Sequence, residues 1–155
     1  MAGFAQVFEW DDKEVQHMLS RMIANAKDMS KPMKEFSQYM LNETTGRFER
    51  EEDPWGKGWV KLSDSTLKQR EKAGKSGKKL QVDGILKGSI AGYTEATGAG
   101  LMVDGSNMEY AAIHNFGGKA GKGHKVLIPA RTFMDFNDDD IEEFKQIVQD
   151  WVLLS

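Results

Sequence analysis

Apolar side chains recur three and four residues apart at both ends of this chain, a spacing that commits the ends to helices. Val15, Met18, Leu19, Met22, Ile23 and Ala26 form one stripe. Met33, Phe36, Tyr39, Met40 and Phe48 form a second, and Ile141, Phe144, Ile147, Val148 and Trp151 a third. Each stripe has its own start signal. Asp11 and Asp12 suit the N-terminus of the first, by capping and by the helix dipole. Ser30 is placed to cap the second, with Pro32 in its first turn. Asn137 or Asp138 opens the third, whose acids gather in the first turn. The first two helices are expected as an antiparallel pair or one kinked rod.

The middle lacks this period. In residues 51–92, Gly and Lys are frequent, Ser63 is positioned to cap a short helix in "LSDSTLKQREK", and "AGKSGKK" reads as a basic loop. "DGILKGSI" predicts one short helix with Ile85, Leu86 and Ile90 inward. Four runs bounded by glycine follow: "AGYTEAT", "GAGLMVDG", "MEYAAIHNFGG" and "HKVLIPA". They read as antiparallel strands of one meander, with Gly117 and Gly118 at positive φ at the turn and Pro129 near a strand end. The predicted class is α+β: N-terminal helices, a small antiparallel sheet over about 93–136, and a C-terminal amphipathic helix. We read 1–155 as a single domain: 1–50 helical, 51–92 loop-rich with short helices, 93–136 sheet and 138–153 helix. No internal repeat is visible, and 155 residues suffice for a real core.

Charge is segregated more than the net value of −3 suggests. Residues 57–79 hold eight Lys or Arg against two acids, and 119–131 hold four basic residues and no acid. Residues 132–155 hold seven acids against Lys145. Solvated loops and a solvated helix face would account for this. So would opposite patches that meet between neighbouring copies, since complementary charge fixes register.

Chemical sites fare poorly. Gly118 and Gly123 are spaced as in a phosphate-binding loop, but His124 stands where lysine is needed and no Ser or Thr follows. The chain has no cysteine, which removes thiolate ligands, thiol nucleophiles and disulfides together and fits a reducing compartment. Its histidines, His17, His114 and His124, lack metal-ligand spacing; His114 is expected to anchor the turn beside Asn115 by a hydrogen bond. "NDDDIEE" lacks the calcium-loop spacing, and no serine has a visible base partner. No cofactor is expected. The start, "MAGFAQVFEWDDKE", turns acidic too early for a signal peptide, and no apolar run is long enough to span a membrane. The basic segment 68–79, with Trp55 and Trp59 upstream, leaves nucleic-acid binding open.

"GWVKLSDSTLKQREK", "LQVDGILKGSI", "YAAIHNFGG" and "IPARTFMDF" occur in that order. Together they resemble the phage virion morphogenesis family, the tail-completion proteins of Mu-like and P2-like contractile-tailed phages, related to head–tail joining proteins. The resemblance spans about 59–136. One departure is "VDGIL", where the family carries Thr between Asp83 and Gly84.

The resemblance implies a structural virion protein and no enzyme. It would act in tail completion and head–tail joining, as a terminator or connector ring at the neck. Its partners would be copies of itself, a hexamer by expectation, with the tail tube protein and head-side connector proteins. DNA would only pass through the lumen, and no membrane is involved. The protein would be assembled in the host bacterial cytoplasm and reside in the virion. The residues expected at subunit contacts are Lys75, Lys78, Lys79, Lys119, Lys122, Lys125 and Arg131 on the basic side, and Asp138, Asp139 and Glu142 on the acidic side. Arg131 is expected to pair with a carboxylate within or between subunits, and Tyr110, Phe116 and Phe133 to lie in the core. A small nucleic-acid-binding protein using 68–79, and a transient capsid or virion assembly factor, stand as alternatives.

Overall fold

A computed structural model describes residues 13–154 apart from Ser76 and Asp104. The capping expected of Asp11 and Asp12 lies outside the described residues. Helix α1 runs Lys13–Lys27, α2 Ser30–Arg50, α3 Asp64–Lys72 and the one-turn α4 Ile85–Gly88. Strands β1 (Ile90–Glu95) and β2 (Gly98–Val103) follow, then α5 (Met108–Phe116), β3 (Gly118–Ala120), β4 (Val126–Ile128) and α6 (Asp138–Leu154). The chain is thus α+β, with helices at both ends.

Helix α2 is the axis of the molecule. Met33, Phe36, Met40, Thr44, Arg47 and Phe48 are buried along it at spacings of three and four, as an amphipathic helix requires. The β1–β2 hairpin lies on this helix, paired from Ile90↔Val103 to Glu95↔Gly98. Close approach is possible because Gly92 has no side chain: a Cβ there would collide with Ser37 Oγ, which donates to the Gly100 carbonyl at 3.1 Å.

One core cluster joins Phe48, Trp59, Leu80, Leu86, Ile90, Ala111 and Phe133. Phe48 meets Trp59 edge-on at 5.4 Å and Phe133 at 5.1 Å between ring centres, arrangements aromatic quadrupoles favour. A second cluster packs Phe36, Met40 and Ile147 with Tyr39 and Phe144. Leu101 touches both clusters.

Several expectations change. The predicted single meander is two separate two-stranded hairpins, β1–β2 and β3–β4. "YAAIHNF" between them is helix α5, because Ala111 and Asn115, four apart, bury one side of it. In so short a run that spacing satisfies a strand period as well as a helix period. The segment after Pro129 is irregular, bends at Met134 and pairs with no strand among the described residues.

Helix α1 buries no side chain; Met18, Leu19 and Ile23 of its stripe are exposed. It lies against α6 and not as a partner of α2, fixed where Trp151 Nε1 donates to the carbonyls of Asn25 and Asp28, each at 2.9 Å. Ile85 is exposed, while Leu86 and Ile90 point inward. Phe133 is fully buried as expected, but Tyr110 and Phe116 lie outside the core, Phe116 77% exposed.

Candidate functional site

Three of the four sequence motifs converge on the segment 131–135. A buried backbone without a strand partner must find its hydrogen bonds elsewhere, and here side chains supply them. Asn115 Oδ1 accepts from the Phe133 and Met134 amides, both at 2.9 Å, and its Nδ2 donates to the Met134 carbonyl at 3.3 Å. Trp59 Nε1 donates to the Thr132 carbonyl at 2.9 Å. Arg47 Nη1 donates to the carbonyls of Phe133 (3.2 Å) and Asp135 (2.7 Å). The Arg131 amide donates to the His114 carbonyl at 2.7 Å.

Beside this segment, Arg47 and Asp140 form a buried ion pair at 2.8 Å, both side chains 2% exposed. Asp140 also accepts from Tyr39 Oη at 3.1 Å and from the Asn137 amide at 2.9 Å. In return Asn137 Oδ1 accepts from the Asp140 amide at 2.8 Å, a reciprocal cap that starts α6. Burial, then the bond to Asp140, pushes the Tyr39 hydroxyl up to about 12. These groups lock α2, α5 and α6 together, and Arg47 and Asn137 also border a surface groove. Sequence reading passed over Arg47, Asp140 and Asn115, although Arg47 falls on the apolar stripe of α2, where a charge needs a buried partner.

Arg131 is buried, and its guanidinium donates to the carbonyls of Val60 (2.9 Å) and Lys61 (3.2 Å). Its partners within the chain are therefore carbonyls, with no carboxylate among the described residues. The hydrogen bond expected of the His114 side chain is not made: Nδ1 is buried with no partner among the described residues. Desolvation, then the charge of Arg131, lowers its pKa and keeps the ring neutral. Asn115 does the anchoring instead.

The charged candidates divide into two groups. Lys75 pairs with Asp83 at 2.8 Å, Lys78 with Glu49 at 2.8 Å and Lys79 with Glu51 at 3.2 Å, so this loop is fastened to its own molecule. Lys119, Lys122 and Lys125 surround the β3–β4 turn, exposed and without an ion-pair partner among the described residues. Gly117 (φ 74°) and Gly118 (φ 151°) both take positive φ, but at the end of α5 and the start of β3 rather than where the hairpin turns, at 121–125. At Gly117 a Cβ would meet the Ala130 nitrogen at 2.9 Å, so only glycine fits between α5 and the 128–130 stretch, in which Ile128 and Pro129 are half-buried and Ala130 is exposed. Asp138 and Asp139 are exposed in the first turn of α6; Glu142 pairs with Lys145 on the same helix at 2.5 Å.

Two of the surface grooves contrast in character. One of about 550 Å³, acidic on balance, is walled by Glu43, Glu52, Asp53, Asp138 and Asp139 with Arg47 and Arg50 among them, and the half-exposed Trp55 lies at its rim. An apolar one of about 400 Å³ lies between β2 and α5, bordered by Met102, Met108 and Phe116. Among the described residues no group of His, Asp and Glu is arranged to hold a metal ion, and no helix is long and apolar enough to cross a membrane.

Residues 10–153 match the profile of the phage virion morphogenesis family. The chain is 32% identical over 136 residues to the "Putative capsid assembly protein G" of Escherichia phage Mu, covering 86% of this chain and 85% of that one. It is 50% identical over 50 residues to "Mu-like prophage FluMu G protein 2" of Haemophilus influenzae, a match over 32% of this chain and about a third (36%) of that protein. With "Mu-like prophage FluMu G protein 1" of the same organism the identity is 25% over 143 residues, 91% of this chain and 90% of that one. No solved structure matches it. With the family profile matched over nearly the whole chain and its motifs gathered around one buried segment, the chain belongs to the phage virion morphogenesis family.

Proposed function

We propose that this protein completes the phage tail and joins it to the head, as a ring of identical subunits at the neck end of the tail tube. Family membership supports a structural or assembly role in forming the particle. The observation that carries the finer reading is the β3–β4 hairpin. It exposes the apolar Val126 and Leu127 and three lysines that have no ion-pair partner among the described residues, as a segment that orders against a neighbour would. The buried lattice around 131–135 supplies the rigid body that such a contact needs. Neighbours in the particle are the tail tube protein on one side and the head connector on the other, with DNA passing through the lumen and no base-specific contact.

Disrupting this gene alone in an inducible prophage tests the reading by electron microscopy of the lysate. Filled heads beside separate tails are expected, and tails of irregular length would mark a terminator. Joined, infectious particles at normal yield would overturn it. A second reading, a factor that helps assembly and then leaves, is favoured by the printed name of the Mu relative, a putative capsid assembly protein. Mass spectrometry of purified particles separates the two: a resident subunit is present in stoichiometric amount, a departing factor is absent.

A further inference from the structure

We infer that the outward face of the β3–β4 hairpin docks on a second copy of this chain, in the acidic groove between the end of α2, the 52–56 turn and the start of α6. Subunits then join head to tail. The inference rests on the structural role proposed above and specifies the two surfaces through which copies meet.

The hairpin has two unlike faces. Its register sets Lys119 opposite Leu127 and Gly118 opposite Ile128, and directly opposed residues share a face. Gly118 backs onto Ile113 of α5, so Lys119 and Leu127 point away from the molecule. Leu127 is 74% exposed. A two-stranded ribbon has little stability of its own in water, and this one shows an apolar side chain ringed by Lys119, Lys122 and Lys125 to solvent. That combination suits a contact in which the leucine is buried and the lysines meet carboxylates.

The occupant is identified by charge. Residues 119–131 contain no acid, and the chain's own acidic groove carries the complement. Asp138 and Asp139 have no ion-pair partner among the described residues, whereas Glu43 and Glu52 in the same groove are partly offset by Arg50. Trp55, 63% exposed at the rim, offers apolar surface for Leu127. Pairing hairpin with hairpin across a two-fold axis would oppose lysine to lysine, which costs free energy. Two different patches of one chain make a heterologous contact, which closes into a ring when the rotation between subunits allows. The lysines of 75–79 do not compete for the groove, because they are bound to Asp83, Glu49 and Glu51.

The chain has no cysteine, so introduced thiols report the contact without background. Two alleles are co-expressed from the prophage, a tagged Lys122→Cys chain and an untagged Asp138→Cys chain, and particles are mildly oxidised. Disulfide-linked dimers containing one chain of each kind are expected, with a ladder of higher species from the double variant and none from Lys122→Cys alone. Separately, Lys122→Glu with Lys125→Glu is expected to lower the yield of joined particles at least tenfold, and Asp138→Lys with Asp139→Lys to restore it. Absence of mixed dimers in joined particles, dimers from Lys122→Cys alone, or charge reversal without loss or without rescue would overturn the docking. The proposed function fails separately: joined particles would then form with the gene disrupted. Loss of joined particles on disruption without any mixed cross-link sinks the docking alone.

Discussion

A buried charge survives only if its partners are complete, and the Arg47–Asp140 pair meets that condition with Tyr39, Asn137 and two carbonyls around it. Removing one side leaves the other charge stranded. Asp140→Asn keeps the shape and strands Arg47, which should cost about 3–5 kcal/mol, read as a fall of roughly 10 °C in Tm by calorimetry. Replacing both, Arg47→Met with Asp140→Leu, should recover only part of that loss: no charge is stranded, but the Phe133 and Asp135 carbonyls and the Tyr39 hydroxyl each lose a hydrogen bond. Asn115 works by the same logic without charge. Its side chain occupies the place of a missing strand, satisfying three backbone groups of Phe133 and Met134.

Among the elements, the segment from Lys75 to Lys87 is held both by Leu80 and Leu86, buried in the core, and by ion pairs from Lys78, Lys79 and Lys87 to Glu49 and Glu51 at the end of α2. Glu49 receives both Lys78 and Lys87, and its hydrogen bonds to Lys78, then Lys87, hold its carboxyl down to about 2 against an ordinary 4.5. A carboxylate lowered on folding contributes stability that is complete above its unfolded value and lost as pH falls. These ion pairs are therefore expected to be lost, and the segment held less firmly, between about pH 4.5 and pH 2. Hydrogen exchange confined to 75–87 should rise over that range before global unfolding, and Glu49→Gln should show the faster exchange already at neutral pH. The β3–β4 hairpin differs in kind, because among the described residues no ion pair holds Lys119, Lys122 or Lys125.

For the whole molecule, the placement of positive charge weighs against nucleic-acid recognition through residues 68–79. Counterion-driven binding needs several free basic groups on one face, and Lys75, Lys78 and Lys79 are each paired with a carboxylate, which leaves Lys119, Lys122 and Lys125 as a small free set. The purified protein should show weak or no affinity for duplex DNA by fluorescence anisotropy at about 0.15 M salt. Tight, steeply salt-dependent binding abolished by neutralising those three lysines would instead place the nucleic-acid reading first.

Local chemistry settled the helices at both ends, the Ser63 and Asn137 caps, the β1–β2 hairpin and the positive φ of Gly117 and Gly118, since each depends on residues a few positions apart. The four motifs, read in order, were also enough to indicate the family. The state of 108–116 was not settled this way, because Ala111 and Asn115 fit either period, and only packing against the 131–135 segment selects the helix. Nor was the fate of the charges. Lys78 and Lys122 look alike in sequence, yet Glu49, 29 positions from Lys78, binds one while the other stays exposed. Arg47 and Asp140 are 93 residues apart. Which charge is paired inside the chain and which is left exposed depends on distances that exist only once the chain has folded.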